Sequence, residues 1–155
     1  MADQIRTGAL TLSEFLPYRL SVLSNTVSSA IAETYRSKFG LNIWQWRVMA
    51  VLGEAPGLTA RDVAGRTAMD KVAVSRAVAA LEARGLLQRD VHPEDGRAAH
   101  LTLTAQGKNI YTEIVPLALA HEEALLAHLT PSELSSLERL LDKLAGGASP
   151  NRKLW

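Results

Sequence analysis

Residues 59–107, TARDVAGRTAMDKVAVSRAVAALEARGLLQRDVHPEDGRAAHLTLTAQG, decide how this chain is read. Thr59 followed three residues later by Asp62 is a helix start, and the helix ends near Thr67. Asp70 caps a second helix that runs to about Arg84, with Val74, Val78 and Leu81 on its buried side and Gly85 as its stop. Leu87, Arg89 and Val91 then alternate with polar neighbours as a strand does, His92–Arg97 is a turn, and Leu101–Thr104 is the return strand. Helix, short turn, helix and charged hairpin in that order can deliver one helix and one hairpin to adjacent grooves of DNA.

Outward from this segment the chain is helical. Leu12, Leu16, Leu20, Leu23, Val27 and Ile31 recur at steps of three and four, predicting a helix to about Phe39 that Gly40 stops. Asn42 and Gln45 form a capping box for a helix through Trp44, Val48, Val51 and Leu52, and Pro56-Gly57 ends it. After the hairpin, Thr104 caps a long helix from Ala105 to about His128 that contains Pro116. Thr130, Pro131 and Glu133 open the last helix, expected to end near Ala145. The fold class is therefore mainly α with a small β-hairpin wing. The divisions are an N-terminal arm and helix (1–41), a winged helix-turn-helix (42–104), C-terminal helices (105–145) and a flexible tail (146–155). The terminal helices carry more apolar surface than one small core can use, which suggests a shared helical interface in a homodimer; the alternative is packing on their own core.

Composition narrows the function classes. Lys and Arg number 17 against 16 Asp and Glu, so overall charge is no argument for nucleic acid, and the case rests on where the charges sit. There is no Cys, which removes disulfides, thiolate chemistry and Cys-ligated zinc and fits a reducing cytoplasm. No apolar run of signal-peptide type or of the roughly 20 residues needed to span a membrane is present. Phosphate-loop, nucleophile-elbow and H-E-x-x-H patterns are missing, so an enzyme is not expected. His121 and His128 lie seven apart, not the i, i+4 spacing of metal-binding helices, and no metal or cofactor is expected.

The helix packing leaves Lys71, Val72, Ser75, Arg76 and Ala79 on the open side of the second helix. Lys71 and Ser75 can meet phosphates or base edges, Arg76 a guanine or a phosphate, and Val72 a thymine methyl; the alternative is an ordinary solvated helix face. On the hairpin tip, Arg97 can enter a narrow minor groove, with Asp95 orienting its guanidinium; a local Asp–Arg pair that tightens the turn is the other reading. A winged-helix module that binds protein instead of DNA would need neither feature.

Asp95 to Gly107, DGRAAHLTLTAQG, matches every specified position of the pattern D-x-R-x-x-x-L-x-L-T-x-x-G, namely Asp95, Arg97, Leu101, Leu103, Thr104 and Gly107. It resembles the wing of the MarR family of winged-helix regulators, and MDKVAVSRAVAALEARGLLQR resembles that family's recognition helix and first wing strand. Ala68 stands at the turn position where many helix-turn-helix proteins have Gly, which is tolerable if this turn avoids a positive φ. The resemblance implies a homodimer on a pseudopalindromic site of double-stranded DNA, with Arg97 in the minor groove, Asp95 supporting it, and Lys71, Ser75 and Arg76 on the recognition helix. Arg61, in the first turn of the preceding helix, is a weaker phosphate candidate, while Arg84 and Arg89 can equally be structural ion pairs.

The resemblance further implies a repressor released by a small, often aromatic or phenolic anion held between the dimerisation helices and the DNA-binding lobe. By helix order Tyr18, Arg19, Trp44, Trp46 and Arg47 fall near that junction, where aromatic walls and cations suit an aromatic carboxylate or an acyl thioester. The alternative for Trp44 and Trp46 is packing. Lack of Cys excludes the thiol-oxidation sensing of one branch of that family.

Overall fold

A computed structural model describes residues 10–91 and 99–148. The wing tip with Asp95 and Arg97, and the tail beyond residue 148, lie outside the described residues. Six helices and three short strands follow one another: α1 (Leu16–Phe39), α2 (Ile43–Glu54), β1 (Leu58–Thr59), α3 (Ala60–Thr67), α4 (Lys71–Ala83), β2 (Leu87–Val91), β3 (Ala99–Leu103), α5 (Ala105–Leu126) and α6 (Pro131–Ala148).

The capping signals act where the sequence places them. Asn42 and Gln45 exchange side-chain and backbone bonds at the start of α2, both 2.9 Å. Thr59 and Asp62 do the same for α3, and Thr130 and Glu133 for α6. Each box satisfies backbone N–H groups that a helix start leaves without an intrahelical partner. These contacts hold the carboxyls of Asp62 and Glu133 below the usual carboxylate range, chiefly through the hydrogen bonds from Thr59 and Thr130. Asp70 accepts from the Ala73 N–H at 2.7 Å and opens α4.

Four boundaries differ from the expectation. The first helix does not run from Leu12: a 3-10 turn covers Leu12–Glu14, Phe15 is extended, and α1 begins at Leu16. Pro17 has no N–H to continue a helix arriving from residue 13, so the helix restarts with Pro17 in its first turn. The sheet has three strands, order β1-β3-β2, not two; β1 pairs Leu58 with Leu101 and Thr59 with His100. Two residues are too few to show alternation in sequence. Helix α5 ends at Leu126, short of His128, while α6 runs past Ala145 through Gly146 and Gly147 to Ala148.

A fifth difference lies in the turn between α3 and α4. Ala68 there has φ 52° and ψ 32°, so the turn uses the left-handed conformation after all, in a residue that carries a Cβ. That conformation costs a non-glycine residue roughly 1 kcal/mol. Ala68 is exposed, so its methyl contributes no core contact in return. Ala68→Gly is expected to stabilise the protein by about 0.5–1 kcal/mol, raising the melting temperature by roughly 2 °C; a lower melting temperature would show that the methyl is needed.

The core lies where the helix-turn-helix meets the ends of α1 and α5. Tyr35, Leu41, Val48, Met49, Leu52, Val63, Val74, Val78, Leu81, Leu86, Leu101 and Ile114 are essentially sealed from solvent. Val63 and Ala64 on α3 face Val74 and Val78 on α4, which is the contact that sets the angle between the two helices. The outer helices are different. Leu16, Leu20, Leu23, Leu117, Leu119, Leu137, Leu140, Leu141 and Leu144 are exposed. None of the described α6 side chains is fully buried.

Candidate nucleic-acid interface

Burial of Val74, Ala77, Val78 and Leu81 fixes the rotation of α4 about its axis. The consequence is that Lys71, Val72, Ser75, Arg76 and Ala79 are all exposed, as the periodicity predicts, with Val72 59% exposed despite being apolar. Arg61 and Arg66 are exposed on the neighbouring α3. Among the described residues, the side chains of Arg61, Arg66, Lys71 and Arg76 take part in no hydrogen bond or ion pair, although the charges of Arg61 and Arg66 act on nearby Asp62. Arg66 was not singled out in the sequence; its place in the last turn of α3, four residues beyond Asp62, is the signal that was available.

Two other arginines are engaged within the chain. Arg89 on β2 pairs with Glu82 on α4 at 3.0 Å. Arg84, just past α4, donates to the backbone carbonyls of Phe39 at 2.6 Å and Gly40 at 3.1 Å, so it holds the chain end of α1 instead of a carboxylate.

The wing root is held by side chains as well as by the ladder. Five residues of β2 pair with five of β3, from Leu87 opposite Leu103 to Val91 opposite Ala99. Thr102 donates to Asp90 across the strands at 3.1 Å, and His100 Nδ1 lies 2.7 Å from the Gly57 carbonyl oxygen. At the exit of the wing, Thr104 donates to the Gly85 carbonyl at 2.7 Å and accepts from the Gly107 N–H at 3.1 Å, while its own N–H binds the Leu86 carbonyl at 3.1 Å. A Cβ on Gly107 would overlap that Leu86 oxygen and stand 3.0 Å from its carbon. Thr104 and Gly107 of the wing pattern are therefore the clasp that fastens α5 to the end of α4.

The residues expected to meet an effector are not brought to one place within a single chain. Trp46, with Arg47, borders a cavity of about 130 Å³ between α1 and α2, completed by Ser28, Ile31, Tyr35 and Ile43. Trp46 is also stacked between Tyr35 (5.8 Å) and Tyr111 (6.0 Å), so it is at once wall and packing. Burial pushes the Tyr35 phenol up, with the Arg47 and Arg36 charges pulling the other way. Trp44 is on a different side: it is 45% exposed, lies against Arg47 at 5.5 Å, and borders a second pocket of about 340 Å³ beside Arg76. Tyr18 and Arg19 are exposed near the start of α1 and line neither space. Ten residues of helix separate Tyr18 from Ser28, about 15 Å of rise. Ser28, Ile31 and Tyr35 were missed as pocket residues; their steps of three and four place them on one face of α1. Among the described residues no three His, Cys, Asp or Glu side chains gather to hold a metal.

Residues 39–98 match the family model described as MarR family. The fold agrees over a wider span: a MarR/EmrR family transcriptional regulator from Acinetobacter sp. ADP1 superposes with a TM-score of 0.83 at 27% identity, over 90% of this chain and 98% of that one. The chain is thus similar to the MarR family of regulators. An HTH-type transcriptional repressor of Mycobacterium tuberculosis is 28% identical over 131 residues, 84% of this chain and 91% of its own length. Sco3205 of Streptomyces coelicolor, a MarR family regulator solved in complex with DNA, shares the fold at a TM-score of 0.79 and 23% identity, over 96% of this chain and 95% of that one. The chain thus shares its winged helix-turn-helix fold with MarR-family transcriptional regulators, and no described helix is long and apolar enough to cross a membrane.

Proposed function

We propose that this chain is a cytoplasmic, homodimeric MarR-family repressor that binds a pseudopalindromic operator in double-stranded DNA and is released by a small aromatic carboxylate. The observation that carries the DNA reading is the exposed face of α4, where Lys71, Ser75 and Arg76 stand unpaired beside Val72 above a fully buried opposite side. Lys71 and Ser75, at the helix start, suit phosphates and base edges, Arg76 a guanine, Val72 a thymine methyl, and Arg61 a flanking phosphate. Arg97, with Asp95 as its support, completes the interface from the wing; this assignment rests on the wing pattern in the sequence.

The dimer reading is supported by the leucines left in solvent on α1, α5 and α6. Patches of that extent on terminal helices mark an interface. The effector reading is supported by the cavity between α1 and α2. Its volume is about 130 Å³, and it opens to solvent. Trp46 and Tyr35 offer aromatic walls and Arg47 a cation for a carboxylate.

The test is binding of the purified protein to DNA from its own upstream intergenic region and to scrambled DNA, with benzoate and 4-hydroxybenzoate titrated into the complex. Selective binding that either acid reverses, together with quenching of tryptophan fluorescence that Trp46→Phe removes, is the expected result. No binding to any genomic fragment at low salt would overturn the DNA reading in favour of a protein-interaction module. Arg47→Ala is expected to weaken the response to the acid at least tenfold while DNA affinity stays within about threefold of the parent; equal loss of both would mean Arg47 acts on the fold.

A further inference from the structure

Helix α1 packs on α2 and α5, whereas α4 packs on α2, α3 and β2. The dimerisation helix and the recognition helix are therefore joined mainly through α2. Arg84 is the exception. It caps α4, its backbone N–H closing on Ala80, and its guanidinium reaches 44 residues back in sequence to the far end of α1. There α1 closes on Gly40, whose N–H binds Arg36 O at 2.9 Å, while the Leu41 N–H reaches Tyr35 O at 3.4 Å. Those bonds satisfy carbonyls inside the last turn and leave those of Phe39 and Gly40 facing outward. Arg84 takes both, one with each terminal nitrogen. A planar fork fits two successive carbonyls as a point charge cannot, and a cation at a helix C-terminus is favoured by the helix dipole. Gly40 has φ 63°, and a Cβ there would sit 3.9 Å from the guanidinium, so the fork lies directly over the turn.

The same turn of α1 is held from the other side. Lys38 pairs with Glu113 on α5 at 2.7 Å. Tyr35, one turn earlier, lines the cavity between α1 and α2. The last turn of α1 is thus gripped by α5 through Lys38 and by the recognition helix through Arg84.

We propose that Arg84 is the positioning residue that sets the recognition helix relative to the dimerisation helices, and so sets the separation of the two recognition helices across the dimer. This rests on the dimeric DNA-binding reading above. Arg84 touches no DNA in this role; it acts by restricting the angle at which α4 leaves α1. Without it the lobe still folds on its valine and leucine core, but the spacing becomes a distribution, and DNA must select one member of it.

The chain has no cysteine, so Ala83→Cys, exposed at the end of α4 beyond the residues assigned to DNA, gives a single spin-label site per protomer. Dipolar electron resonance then reads the distance between the two recognition helices in the full-length protein. The Arg84-containing protein is expected to give one narrow distance, Arg84→Met a distribution at least twice as wide, and Arg84→Lys a width between the two. With DNA added, the Met variant should return to the narrow distance and bind specific DNA about three- to tenfold more weakly, the population cost of selecting the competent spacing. If the Met and Lys variants keep the narrow distance and only melt earlier, Arg84 is a helix clamp alone and the proposal is overturned. Absence of any dipolar signal in the protein with Arg84 intact would overturn the dimer reading, and the proposal with it.

Discussion

Gly107→Ala is expected to destabilise the protein by about 3 kcal/mol, lowering the melting temperature by roughly 10 °C. The reason is local and backbone-to-backbone. Gly107 stands in the first turn of α5, where its Cα lies against the Leu86 carbonyl, and a Cβ would overlap that oxygen. A flexible side chain could move aside; a carbonyl engaged by the Thr104 N–H at 3.1 Å cannot do so without breaking that bond. The new methyl must therefore push α5 away from the end of α4. That movement also loosens the bond from Thr104 to the Gly85 carbonyl, and it disturbs Leu86 and Leu103, both buried. Calorimetry reads the loss directly. A melting point within about 2 °C of the parent would mean that the clasp is slack. The prediction has a functional corollary: the wing and the recognition helix share this clasp, so the surviving folded fraction of Gly107→Ala should bind DNA more weakly than its stability alone requires.

The second large effect concerns salt. In the proposed dimer, Arg61, Arg66, Lys71 and Arg76, whose side chains make no hydrogen bond or ion pair among the described residues, would bring eight cations to DNA before the wings are counted. With six to eight phosphates neutralised, the slope of log affinity against log salt is expected near −5 to −7, so affinity should fall by about a thousandfold or more between 50 and 200 mM salt. Arg76→Ala should then separate positioning from reading. As a base contact it should cost about 1–3 kcal/mol on operator DNA and far less on random DNA, with a nearly unchanged slope. Equal losses on both DNAs, with the slope reduced by about two per dimer, would reassign Arg76 to phosphate. A shallow slope with undiminished binding at 200 mM salt would contradict an electrostatic interface altogether.

Much of this architecture is legible because it is written in short-range chemistry. The Asn42–Gln45, Thr59–Asp62 and Thr130–Glu133 boxes depend on residues three apart and a backbone that bends in one way. The α4 register follows from Val74, Val78 and Leu81 recurring on one face, and that register alone puts Lys71, Ser75 and Arg76 outside. The places where the reading failed have a common cause. The strand β1 exists only because Leu58 and Thr59 meet β3, some 40 residues away. Ala68 adopts a left-handed turn because α3 and α4 must meet at the angle their buried valines and Ala64 impose, and the helix packing overrides the preference of a single alanine. Trp44 and Trp46, two apart, point to different sides of α2, so a shared effector site for both conflicts with the helical period itself.

What the sequence determined by itself is the order of the elements, their caps, the buried side of α4 and the family pattern in the wing, since each depends on residues close together in the chain. Only the tertiary structure decided which arginines are spoken for. Arg84 and Arg76 look alike in sequence, eight residues apart on one helical segment, yet one is fastened to the carbonyls of Phe39 and Gly40 and the other is open to solvent. Their difference lies in what the far end of α1 places beside them, and a contact across more than 40 residues leaves no periodicity in the chain from which it can be read.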